Sequence, residues 1–495
     1  MNTSQVTENT HFILLLISIS LAIFMAALDG TIVNIALPAI SEAFSLSSSA
    51  VSWVSTIYLL VMSGCVLIFG KISDIIGFKK IFLLGFIIFT IGSLTCGILP
   101  DLTGWFFTLV GSRAFQAIGG AMITAIAPAM VTAYVPMEKK GKAMGFIMTV
   151  AALGTAIGPT IGGFLTQYLS WNWIFFINVP VGIVALILGH RVIPGSVTSS
   201  GKGHLDRSGA ILIFSGLALL LFGASEGDTL GWTSPIILSS LIVSFIILGL
   251  FVRQELRSGE PLLELRLFKE RNFLILNSAL ALLFFGFSGV NYLLPFYLKY
   301  VSGYNTSSSG LILTSLSVAM MIAGLLAGAL FNRTGGRKIS IIGAVLLAIG
   351  YYLILHLRVD TELWYVVSCL TLIGLGLGFM ITPISNMIMT SVGKGYQGMT
   401  SSLTSLERFA PMTIGIAFFN AIFIAGMKLI GTAHGVTQSA PVEIQQKVLT
   451  AGFDLTFTVT FVFGVLILIL AFFVHEKVHP DYLEASPEEP VKANF

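Results

Sequence analysis

The sequence predicts an all-α integral membrane protein with fourteen spanning helices, and three observations carry that prediction. Hydrophobic residues fill 55% of the 495 positions and charged residues only 10%, where soluble chains hold roughly 25% charged residues. Mean hydropathy is +0.94. Apolar runs bounded by charge, Gly and Pro recur along the whole chain, at lengths near the about 20 residues that cross ~30 Å of hydrocarbon.

In order, the runs lie near residues 12–37, 51–70, 80–99, 105–134, 142–168, 173–193, 208–225, 233–252, 272–298, 308–331, 339–357, 363–391, 398–427 and 454–474. Met1 to Thr10 holds no Lys or Arg and no small-residue cleavage site follows span one, so a membrane helix is expected there rather than a cleaved leader. An even span count puts both termini on one side. Placing them inside gives the cytoplasmic segments twenty of the 26 Lys and Arg and the outer loops four, with Arg113 and Arg408 within spans. That bias orients both termini to the cytoplasm. Cys65, Cys96 and Cys369 fall in apolar runs and read as small buried hydrophobes, not as a disulfide framework.

Polar stretches divide the chain. Residues 194–207 precede span seven and 253–271 follow span eight; the second reads as a surface helix or a solvated linker. Residues 431–451 form an outer polar loop in which Val442–Leu449 reads as a short helix, and the Glu- and Pro-rich tail after His475 reads as disordered. The turn Gly70-Lys71-Ile72-Ser73-Asp74-Ile75-Ile76-Gly77-Phe78-Lys79-Lys80 recurs as Gly328-Ala329-Leu330-Phe331-Asn332-Arg333-Thr334-Gly335-Gly336-Arg337-Lys338. The expected organisation is therefore an N-terminal six-helix bundle (1–193), a linker with two inserted helices (194–253), a cytoplasmic linker (254–271), a C-terminal six-helix bundle (272–474) and a cytoplasmic tail (475–495). Duplicated halves around a midplane site are a common transporter plan.

Five segments carry chemistry. Leu28-Asp29-Gly30-Thr31-Ile32-Val33-Asn34-Ile35-Ala36-Leu37-Pro38 sets a carboxylate in span one, with no other charge from Phe12 to Ser41. A central acid costs on the order of 2.5–3.5 kcal/mol on insertion scales, so Asp29 is a proton- or cation-handling candidate; the competing reading is an acid capping a break at Gly30. In span four, Arg113-Ala114-Phe115-Gln116-Ala117-Ile118-Gly119-Gly120 carries a guanidinium that cannot deprotonate and must pair or line water. In span five, Gly154, Gly158 and Gly162 form one smooth face at i, i+4, i+8, with Pro159 and Gly163 beside it. That face is expected to pack across the two halves and close one side of a cavity, or to serve packing alone. Asp74 can meet a helix N-terminus across the cytoplasmic surface. Glu407 and Arg408 point ~100° apart on span thirteen, so one can face a cavity while the other pairs elsewhere.

These motifs, with Trp171-Asn172-Trp173-Ile174-Phe175-Phe176-Ile177-Asn178-Val179-Pro180, resemble those of the fourteen-span drug:proton antiporters of the major facilitator superfamily, from Leu28 to Phe473. Departures are Ile75 and Phe78 where basic residues are usual, Ala117 for Gly, and Asn172 for Arg. The resemblance implies a major facilitator fold in a prokaryotic cell membrane and proton-coupled export of cationic or amphipathic drugs by alternating access. Proton coupling falls to Asp29, Glu407 and Arg113, and gating to Asp74, Gly154, Gly158, Pro159, Gly162 and Gly163. Expected substrate contacts are Glu407, Arg408, Trp53, Tyr58, Gln116, Met122, Phe284, Asn291, Tyr292 and Asn386, with Met25, Phe285, Met380 and Met387 as further candidates for an apolar lining. Export of an endogenous lipid, siderophore or peptide-like metabolite is the alternative. No P-loop or HExxH zinc motif points to an enzyme; neither cofactor, metal nor nucleic acid is expected, and the partners are substrate, protons and membrane lipid around a monomer.

Overall fold

The computed structural model describes residues 3–135, 137–194, 206–259, 261–393, 396–433 and 442–480. The helices are α1 (Thr3–Ala43), α2 (Ser48–Ile76), α3 (Phe78–Thr103), α4 (Phe106–Tyr134), α5 (Met137–Tyr168), α6 (Trp173–Phe176), α7 (Asn178–Val192), α8 (Arg207–Leu230), α9 (Pro235–Arg257), α10 (Arg271–Tyr300), α11 (Thr306–Thr334), α12 (Gly336–Ile354), α13 (Leu363–Thr390), α14 (Gln397–Ala433) and α15 (Val442–Phe473). Fourteen segments are long and apolar enough to cross a membrane, α6 and α7 together forming one of them. Among the described residues there is no strand.

Three local expectations change. Val442–Leu449 is not a separate helix but the start of α15. Between α9 and α10 the chain forms neither a surface helix nor an open linker: a 3-10 turn spans Leu265–Lys269, and the Leu263 N–H donates to buried Glu255 at 2.9 Å. Beyond residue 480 the expectation for the tail lies outside the described residues, whereas residues 475–480 are described and are held by contacts. There Glu476 accepts from the Gly336 N–H at the start of α12 at 2.9 Å, Lys477 pairs with Glu270 at 3.0 Å, and the His479 N–H donates to the Thr390 carbonyl at 2.9 Å. An anion at the first turn of α12 is favoured by the helix dipole.

Packing repeats between the two sets of helices. Helix α1 packs on α5 and α7, α2 on α4, and α3 on α4 and α7; correspondingly α10 packs on α14 and α15, α11 on α13, and α12 on α13 and α15. The sets meet along α5–α11 and α2–α14, pairs that exchange under the same correspondence. The repeated turns agree in detail: Gly77 and Gly335 close α2 and α11 at φ 92° and 82°, a region open to Gly because it lacks a Cβ. Helix α8 lies on α2 and α14, outside their seam, with α9 packed on α8. Ile236, Ile242, Phe245 and Ile246 of α9 are exposed, as a lipid-facing helix requires.

Candidate functional site

Asp29 lies in an unbroken α1, so it caps no break at Gly30. Its side chain is fully buried and accepts three hydrogen bonds. Arg113 Nη1 of α4 donates to Oδ2 at 2.8 Å, while Gln116 Nε2 and Asn178 Nδ2 each donate to Oδ1 at 3.0 Å. The short α6 ends at Ile177, and α7 begins with Asn178, which brings that amide to the carboxylate. Arg113 also donates to Gln116 Oε1 at 2.5 Å and to the Val54 carbonyl at 3.3 Å, and its Cζ lies 4.0 Å from the Tyr58 ring centroid. Gln116 in turn donates to Ser93 Oγ at 2.7 Å. A buried charge persists only when paired and hydrogen-bonded, and here every oxygen of Asp29 has a donor. Gly30, next along α1, is exposed, with nothing within 4 Å of where a Cβ would sit.

A second group forms where α14 meets α2 and α10. Arg408 is exposed, with Phe284 of α10 and Phe409 at 5.8 and 5.7 Å from its Cζ to the ring centroids. Tyr58 of α2 lies within its electrostatic reach. Its neighbours thus place Arg408 between the two helix sets, not toward lipid. Glu407 is 8% exposed; its Oε2 has no hydrogen-bond partner, and it makes no ion pair among the described residues. Of the two, Arg408 is the exposed side chain and Glu407 the buried one, for which no ion pair is found among the described residues. The buried Tyr58 hydroxyl also lacks a hydrogen-bond partner, and Gly120 leaves the room it occupies: a Cβ there would come within 2.9 Å of it.

The remaining sequence candidates scatter. Gln116 belongs to the Asp29 cluster. Met25, Met122, Met380 and Met387 are buried core residues: a Cβ on Gly85 would meet Met122, and Cβ atoms on Gly343 and Gly336 would meet Met380 and Met387. Phe285 packs with Phe418, Phe419 and Phe463. The four methionines are thus engaged in helix packing, while Phe285 is half-buried. Trp53 Nε1 donates to Glu226 Oε1 of α8 at 2.6 Å. Tyr292 is buried and donates to the Ser48 carbonyl. Asn291 is half-buried and Asn386 exposed. The side chain of Asp74 lies outside the described residues. Sequence reading missed Asn178, Ser93 and Glu226 as partners; the signal for Asn178 was its place inside the Trp171–Pro180 motif, an amide within an apolar run.

The glycine face is corrected as well. Cβ atoms on Gly154, Gly158 and Gly162 would meet Phe24, Thr31 and Ile35 of α1 at 2.7, 2.0 and 2.6 Å, so this face packs within its own helix set. Contact across the sets falls to its neighbours. Gly163 lies against Thr306 and Ser307, and Gly310 against the Pro159 carbonyl, while Thr160 and Thr314 hydroxyls hydrogen-bond at 2.5 Å. Nearby, on the face of the α1–α2 turn, Lys299 pairs with Glu42 at 2.7 Å and Tyr300 donates to Glu42 at 3.3 Å. Together with Tyr292 on Ser48, these contacts bridge the two sets on that face.

Comparison with known proteins agrees with this architecture. The chain is 34% identical over 414 residues to the riboflavin transporter RibZ of Clostridioides difficile, covering 83% of this chain and 88% of that one. It is 31% identical to the multidrug resistance protein Stp of Mycobacterium tuberculosis, covering 89% and 81%, and 30% identical to the multidrug transporter MdtP of Bacillus subtilis, covering 86% and 78%. The fold matches the crystal structure of a D-xylose–proton symporter with a TM-score of 0.64 at 15% identity, over 94% of this chain and 98% of that one. Residues 19–416 match the Major Facilitator Superfamily. The chain belongs to the Major Facilitator Superfamily, as a multi-pass membrane transporter of small molecules and not an enzyme.

Proposed function

We propose that this transporter is a proton-coupled antiporter that exports amphipathic compounds across a bacterial cell membrane, both termini cytoplasmic. The observation that carries the reading is the fully buried Asp29 carboxylate held by Arg113, Gln116 and Asn178. A carboxylate whose only cation is a guanidinium that keeps its proton can gain one itself, and gaining it releases Arg113. In this reading, protonation of Asp29 loosens α1 from α4 and α7. That change biases the two halves, 1–193 and 272–474, between access to the two sides. Glu407 is the second proton site of the proposal. Relatives named as multidrug transporters support export of varied compounds; the relative named as a riboflavin transporter supports planar heterocycles among them. Export of an endogenous amphiphile remains the second reading, favoured by the flavin-transporting relative.

By the Lys and Arg bias, the bridged α1–α2 face is the outer one. Asp29→Asn tests the coupling in proteoliposomes. An imposed pH gradient should drive uptake of riboflavin by the parent and fail to do so in the variant, while exchange of labelled for unlabelled compound without a gradient continues. Unchanged gradient-driven uptake by Asp29→Asn would remove Asp29 from coupling.

A further inference from the structure

Four charges lie deep within the spans, and they are not equally available to a ligand. Asp29 is fully buried and Arg113 is 1% exposed, each satisfied by the other. Glu407 is 8% exposed. Arg408 alone of the four is exposed, and among the described residues it has no ion pair. The exposed charge among the four is therefore positive, although the sequence expectation was a carboxylate for cations.

We propose that Arg408 makes the space between α2, α10 and α14 a site for planar aromatic substrates that carry negative charge or carbonyl acceptors, and disfavours cations. This rests on the reading of that space as the transport cavity. A guanidinium stays charged, presents a planar fork to carboxylate or imide oxygens, and stacks on aromatic faces. The Phe284 and Phe409 rings lie within 6 Å of it, close enough to hold the cation by their faces and leave its edge for a ligand. On the α2 side, Tyr58 carries the Arg113 guanidinium on its ring and lies within electrostatic reach of Arg408. An unpaired cation in a low-dielectric interior gains from an arriving anion and repels a like charge. Glu407, the neighbouring acid, is 8% exposed.

Two xanthene dyes give a matched test, since fluorescein is anionic and rhodamine 123 cationic on the same ring system. Fluorescence anisotropy on the purified full chain, with no pH gradient, measures binding separately from proton coupling. The parent should bind fluorescein about 10-fold or more tightly than rhodamine 123, a gap of the size one charge contact sets. Arg408→Gln should bring the ratio to about 1, Arg408→Lys should retain part of it, and the surface control Arg266→Gln should leave it unchanged. Equal or tighter binding of rhodamine 123 by the parent overturns the proposal without any variant being needed, as does binding of neither dye. An Arg408→Gln ratio equal to the parent's overturns it too. Loss of gradient-driven transport with the dye preference intact would instead count against the coupling reading.

Discussion

At the scale of single residues, the account turns on how one buried carboxylate is satisfied. Three donors hold Asp29, and one of them is permanently charged. Arg113→Met should therefore leave an uncompensated acid in the bundle, costing roughly 3–5 kcal/mol of stability unless the acid takes up a proton. Thermal unfolding in detergent should show a loss that shrinks as pH is lowered, because the protonated acid no longer needs the guanidinium. A loss independent of pH would mean that Arg113 acts through packing on Tyr58 alone. Asp29 and Arg113 were legible in the sequence because a charge inside an apolar run stands out, and Gln116 because it lies in the same motif as Arg113. Asn178 and Ser93 were not, since a neutral amide or hydroxyl costs a span little and carries no sign of its partner. The adjacent pair Glu407 and Arg408 shows the limit most directly. Helical spacing says that they diverge, but only the neighbours Phe284 and Tyr58 decide which one faces inward.

At the scale of helices, small-residue spacing predicted a smooth face, but the expectation that it packs across the two halves was wrong for Gly154, Gly158 and Gly162. Gly154, Gly158 and Gly162 receive α1, whereas Gly163 receives α11, one position and about 100° further round the helix. The two kinds of site should behave differently. Gly158→Ala places a Cβ 2.0 Å from Thr31 Oγ1 and should cost roughly 1–3 kcal/mol by overpacking, read as a lower unfolding temperature. Gly163→Ala meets the Thr306 carbonyl at 2.7 Å across the two helix sets. Its signature should be increased labelling of a cysteine placed at Ser307 by an impermeant maleimide from the α1–α2 face, with little change in unfolding temperature. Equal labelling of parent and variant would show that this contact does not hold the face closed. The inserted helices follow the same logic: their polarity gave two more spans, and their place on α2 and α14 needed tertiary contacts such as the bond from Trp53 to Glu226. Trp53→Phe removes that charge-assisted bond, worth about 1.5–3 kcal/mol, and protease cleavage between α7 and α8 should then release the α8–α9 hairpin more readily.

At the scale of the molecule, the repeated Gly-to-basic turn was enough to foresee a duplicated architecture, because a positive-φ glycine must recur wherever that turn recurs. The pairing of α5 with α11 and α2 with α14 was beyond the sequence, since lipid-facing and helix-facing surfaces are equally apolar in a membrane. That pairing supplies the seams about which the proposed rocking would occur, with the α1–α2 face bridged by Lys299, Tyr300 and Tyr292 on Glu42 and Ser48. Coupling between two sites is reciprocal by thermodynamic necessity, which sets the most direct test of the central claim. Proteoliposomes holding a pH-sensitive dye and no pH gradient are given an outward gradient of a transported compound such as riboflavin. The account predicts that its exit drives proton entry, acidifying the lumen in the parent and leaving it unchanged in Asp29→Asn. Substrate exit from the parent without any change in luminal pH would contradict it.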